Sequence, residues 1–145
     1  MTAVRKDLRH RARETALQIL YAWDIGHTDV DQAVDTFFSH QWVGTEGPPD
    51  EVRQFATELA RETVTRLDAI DPLIADTAER WRPERMAVLD RLILRMAVCE
   101  LLRKTGTPAP VIINEALELA RTFSTEDAVK FINGMLDGVR KKIEA

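Results

Sequence analysis

The chain has 145 residues, 45% of them apolar and 30% charged, with a net charge of −4 and one cysteine, Cys99. That length suits one domain whose core needs neither disulfide nor metal, and a lone cysteine excludes an intrachain bridge. No eighteen consecutive apolar residues occur and the amino end lacks a secretory-signal pattern, which excludes a simple membrane helix and makes a cytoplasmic protein the expectation.

The charge is segregated. Residues 1–23 balance to +3, residues 24–79 to −10, residues 80–104 to +4 and residues 105–145 to −1. Local fields act within roughly 8–10 Å, so two basic segments can attract a polyanion despite the acidic total, provided the fold brings them together.

Taken in chain order, Leu8, Ala12, Ala16, Ile19, Leu20 and Trp23 recur at the helical period and predict a first helix. Extended back to Lys6, that helix carries Lys6, Arg9, His10 and Arg13 in one sector beside the apolar face, with Arg11 pointing elsewhere. Guanidinium groups suit phosphate oxygens and stacked bases; a solvated, frayed terminus is the bland alternative. A second helix is expected in "DVDQAVDTFFSHQW". The segment "GTEGPPDE" breaks it and marks a possible boundary between lobes. Helix resumes near Asp50, with Val52, Phe55, Ala56, Leu59, Val64 and Leu67 inward. Asp71-Pro72 and Trp81-Arg82-Pro83 look like restarts with proline at the first helical position.

From Pro83 to Lys104 the pattern is apolar on most sides, which predicts a central helix with Cys99 buried in it. Arg91 and Arg95, four residues apart, share one side and read as its solvent-facing edge, with Glu84 and Asp90 also charged. Two more helices follow, from about Pro110 to Phe123 and from about Thr125 to Ile143, with Ser124 and Asp127 resembling a capping box. In the last, Asn133-Gly134 interrupts a helical stripe, and a glycine there costs about 1 kcal/mol relative to alanine. A neighbouring helix packed against the missing side chain is the simplest compensation. Phe131 reads first as a core residue and second as a ring offered to a base. The chain is therefore expected to be all-α, with about seven helices and lobes of roughly 1–70 and 71–145.

No catalytic or metal-binding constellation is visible. His10, His27 and His40 share no ligand spacing, Ser39 and Ser124 lack a nucleophile-elbow context, and the six glycines form no phosphate-cradling loop. Binding is the better class; no cofactor is indicated.

"RARETALQILYAWD", "LDRLILRMAVCELL" and "VIINEALELARTFSTEDAVKFINGMLDGV" resemble corresponding segments of the NusB family of transcription antitermination factors, in the same order, from about Arg9 to Val139. The resemblance implies two packed helical bundles without catalytic activity. It implies binding to boxA-type single-stranded RNA in nascent ribosomal transcripts together with the small-subunit ribosomal protein NusE, within a larger complex of antitermination factors and RNA polymerase. Carried over residue by residue, it puts Arg9, His10, Arg11, Arg13, Arg91, Arg95, Asp127, Lys130 and Phe131 at RNA, and Tyr21, Glu84 and Asp90 at the protein partner. His10 stands where arginine is common, which makes that contact weaker or pH-dependent. Changing Arg9 and Arg13 together to glutamate is expected to abolish RNA binding with helicity intact. Two rivals belong to other classes: an accessory domain of an RNA methyltransferase, which requires these residues to be part of a longer protein with a cofactor-binding α/β domain, and a self-associating helical module using Phe37, Phe38 and Trp42. The oligomer is expected to be a monomer or a homodimer.

Overall fold

The computed structural model describes residues 3–42, 46–78 and 82–145, with side chains from Asp7 onward. Gly44, Trp81 and the Lys6 side chain, all used above, lie outside the described residues. Seven α-helices account for most of the chain, and no strand occurs among the described residues. They divide into two compact units, residues 1–64 and 65–145.

The first unit contains α1 (Ala3–Gly26), α2 (Val30–Thr36) and α3 (Asp50–Thr65), whose last residue belongs to the second unit. Ala12, Ala16, Leu17, Ile19 and Leu20 of α1 are fully enclosed, on the face the periodicity marked. His27, with a positive φ of 52°, ends α1 in the left-handed conformation common just past helix termini. The second expected helix is in fact two pieces, because a π-helical turn, Phe37–Gln41, continues α2. Through it the rings of Phe37, Phe38 and Trp42 meet, with centroids 5.3–6.3 Å apart. Phe37 is buried, so the proposed self-association patch is largely engaged inside its own unit. The glycine-proline segment lies within this unit and does not separate the two.

The second unit is built around α5 (Val88–Arg103), which packs against α4 (Leu67–Thr77), α6 (Ala109–Phe123) and α7 (Glu126–Glu144). Every residue from Leu92 to Leu101 is buried; for the apolar ones, Cys99 included, the pattern requires it, whereas Arg95 and Glu100 are buried against it. Pro72 departs from expectation: it sits inside α4, not at its start. The helix begins instead after Arg66, whose carbonyl accepts from the amides of Ala69 and Ile70. Proline has no N–H to give the Asp68 carbonyl four residues earlier, and both residues are exposed. Pro83 does open a helical turn, but a short 3-10 one, Pro83–Arg85, before α5 proper.

The last helix is capped by Thr125, whose side chain accepts from the Ala128 amide at 3.1 Å. Ser124, expected as the cap, instead donates to Asp90 on α5. Two glycines of α7 behave differently. A Cβ at Gly138 would come within 2.5 Å of Thr77 Cγ2 on α4, whereas one at Gly134 would meet nothing within 4 Å. The close packing expected at Gly134 is thus found one turn later.

Candidate nucleic-acid interface

In the first unit, the described cations of α1, from Arg9 to Arg13, already have partners. Arg9 donates from Nε to Glu51 Oε1 at 3.1 Å and lies 4.5 Å from the Phe55 ring centre. Arg13 is 3% exposed and stacks on the same ring from 5.1 Å. Arg11, which the helical period placed outside the basic sector, covers Trp42 at 4.5 Å, and Arg53 covers Phe38 at 4.9 Å. His10 lies 2.8 Å from Glu14 on the same helix. These contacts preorder planar cations on aromatic faces, an arrangement worth about 0.5–1 kcal/mol per exposed pair. Arg9 and His10 keep about a third of their side-chain surface in solvent. Arg13 does not, so it belongs to the interior of the unit; an Arg13→Glu change puts an acid at a buried position against the half-buried Phe55 ring, and helicity intact is no longer the expectation.

In the second unit, α5 offers less than its sequence suggested. Arg95 is 9% exposed and grips Asp71 of α4 through two parallel bonds of 3.0 and 2.9 Å. That fork-to-carboxylate geometry ties α5 to α4 and leaves little of the guanidinium for a ligand. Arg91 is half-buried, donating to the Pro83 carbonyl at 2.6 Å. The pair therefore does not form a solvent edge; both arginines hold structure preceding or flanking α5. Glu84 is exposed, while Asp90 is half-buried and accepts from Ser124. Tyr21 is exposed on α1, one turn before Ile25, which is also exposed.

The exposed side of α7 is another matter. Asp127 and Lys130 are exposed, and the Phe131 ring is 43% exposed instead of joining the core as its spacing first suggested. Asn133, Gly134 and Asp137 continue that exposed side, and Asp137 pairs with Lys141 at 3.1 Å. The opposite face, Ala128, Val129, Ile132, Met135, Leu136 and Val139, is buried. A cation beside an exposed ring, with carboxylate and amide acceptors around it, suits a phosphate, a base face and base amino groups. Sequence reasoning missed Arg53 and the π-helical turn; the aromatic spacing was visible, but only the fold brings the guanidinium groups over the rings. It noticed Gly134 and explained it wrongly.

The NusB family model matches residues 10–141. A transcription antitermination protein NusB from Solibacter usitatus is 47% identical over 93% of this chain and 90% of its own. One from Koribacter versatilis is 43% identical over 98% and 94%. Among solved structures, T. maritima NusB superposes with a TM-score of 0.81 at 30% identity, covering 92% of this chain and 91% of its own. A crystal structure of antitermination factors NusB and NusE in complex with dsRNA gives a TM-score of 0.80 at 23% identity over 94% and 98%, a likeness of fold alone. With the fold, the family model and near-full-length relatives in agreement, the chain belongs to the NusB family of transcription antitermination proteins.

Proposed function

We propose that this chain acts without catalysis in the cytoplasm, binding boxA-type single-stranded RNA of nascent ribosomal transcripts together with NusE, and so helps RNA polymerase and its other factors resist termination. Family membership over nearly the whole length is the observation that carries this assignment. The exposed Lys130–Phe131 pair on α7 supports it chemically. No helix among the described residues is long and apolar enough to cross a membrane.

Within that function, Arg9 and Arg11 supply cations and His10 an imidazole from the first unit, and Asp127, Lys130 and Phe131 supply an acceptor, a cation and a stacking ring from the second. Arg91 keeps a partly accessible guanidinium near the start of α5. Arg13 and Arg95 act by positioning, through Phe55 and Asp71. Tyr21 and Glu84 face solvent and are assigned to NusE; Asp90 serves that contact by holding Ser124. Phosphate contacts give affinity, while bases are read on their exposed edges. The test is capture of a boxA-type RNA oligonucleotide, with and without NusE, at two salt concentrations. Affinity should fall by about 0.7 log units per log unit of salt for each phosphate neutralised. Equal capture of a scrambled RNA, or no salt dependence, would overturn the assignment.

A further inference from the structure

The α5 helix ends on Lys104 in the left-handed conformation, with φ 52° and ψ 49°. Glycine is the ordinary residue there, because a Cβ crowds the following carbonyl oxygen in that region. A cation does suit the carboxyl end of a helix, but Arg103 already supplies one in the last turn of α5. Backbone strain without a local reason points to use.

Lys104 borders a cavity of about 330 Å³ inside the second unit, where the end of α5, the start of α6 and the last turns of α7 meet. Its walls are aliphatic, made by Leu101, Ala109, Ile112 and Ile143. Its two carboxylates are already engaged. Glu100 is 5% exposed and has a partner of its own, and Glu144 accepts from Arg140 Nε at 3.1 Å. What remains is a set of donors: the Lys104 ammonium, the terminal nitrogens of Arg140 and the Thr107 hydroxyl. None of these has a partner among the described residues. The amino end of α6 at Ala109 adds its partial positive charge.

The lining decides the kind of ligand. Converging donors suit a carboxylate, which accepts at both oxygens. The described lining holds no aromatic ring on which a base or nucleoside could stack. The volume lies at the small end for ligand sites, which favours a short chain over a peptide. We propose that this cavity binds a small aliphatic carboxylate: its chain lies against Leu101, Ile112 and Ile143, and its oxygens accept from Lys104, Thr107 and Arg140. The bound acid ties the α5–α6 turn to the end of α7. The site lies within the second unit and is independent of the RNA-binding function above.

The experiment is a heteronuclear NMR titration of the full chain with hexanoate, and with hexylamine as the same chain bearing the opposite charge. Hexanoate should shift the amides of Gly106, Thr107, Ala109 and Ile143 along a common saturating curve, and should raise the melting temperature as it saturates. Hexylamine should do neither. Lys104→Gln should weaken hexanoate binding about ten-fold, the share of one charge-assisted hydrogen bond. Lys104→Gly separates strain from binding. It should melt about 2–4 °C higher, because glycine accepts the left-handed turn, and bind hexanoate as poorly as the glutamine variant. Ala109→Leu, which fills the cavity, should abolish the shifts in a chain that still unfolds cooperatively. Shifts that follow hexylamine equally, that map away from the cavity, or that survive both Lys104 substitutions overturn the proposal. So does a titration to millimolar hexanoate without any shift.

Discussion

The amino-terminal stretch of α1 and the exposed side of α7 both carry cations beside aromatic rings, yet they are built in opposite ways. On α1 the guanidinium groups lie over Phe55 and Trp42, and Arg9 is also paired with Glu51. On α7, Lys130 and Phe131 are turned to solvent. A cation's count in the sequence is therefore a poor guide to its availability. The first region is organised by its own contacts before any ligand arrives, whereas the second presents chemistry that the fold does not use.

This contrast predicts different fates for similar substitutions. The largest effect should come from Arg13→Ala, which empties a buried site against Phe55: about 2–4 kcal/mol of stability is lost, by analogy with truncation of other long buried side chains. Chemical denaturation measures it, and a chain as stable as the parent would erase the distinction between the regions. Phe131→Ala should do the reverse, costing about 1–3 kcal/mol of RNA affinity and within about 0.5 kcal/mol of stability, as expected for a surface site. Arg11→Ala removes a guanidinium from the Trp42 face and should cost about 0.5–1 kcal/mol of stability, with a change in tryptophan emission. The smallest effect is the sharpest test. Glu51→Ala should change stability by no more than about 1 kcal/mol, because its pair with Arg9 is partly exposed, and should tighten RNA binding slightly by releasing Arg9. Weaker binding would mean that Glu51 positions Arg9 for the ligand.

Much of the fold was legible because burial follows period. The inward residues of α1, the enclosed run of α5 and the start of α7 all follow from apolar spacing and helix-end chemistry. What was not legible depends on partners distant in sequence. Arg95 looks like a surface cation until Asp71, 24 residues earlier, is brought to it. Pro72 looks like a helix start because the sequence does not reveal that Asp68, whose carbonyl loses its donor, faces water. Phe131 and Ile132 are adjacent apolar residues at the border of one stripe, and only the fold decides that the second is covered and the first is not. The candidate site was harder still, since α1 contains five cations or histidines between Lys6 and Arg13 and nothing local distinguishes which are held.

Thr77 and Gly138 have a consequence for how α7 is set. The Thr77 hydroxyl donates to the Leu73 carbonyl at 2.9 Å, so its methyl is held in place, and it sits where a side chain of residue 138 would begin. A rod-like helix resting on smooth neighbours can roll about its long axis; one notched by a fixed methyl cannot. A single absent carbon at position 138 thus acts as a key for rotation, and determines which way the residues one and two turns earlier are aimed.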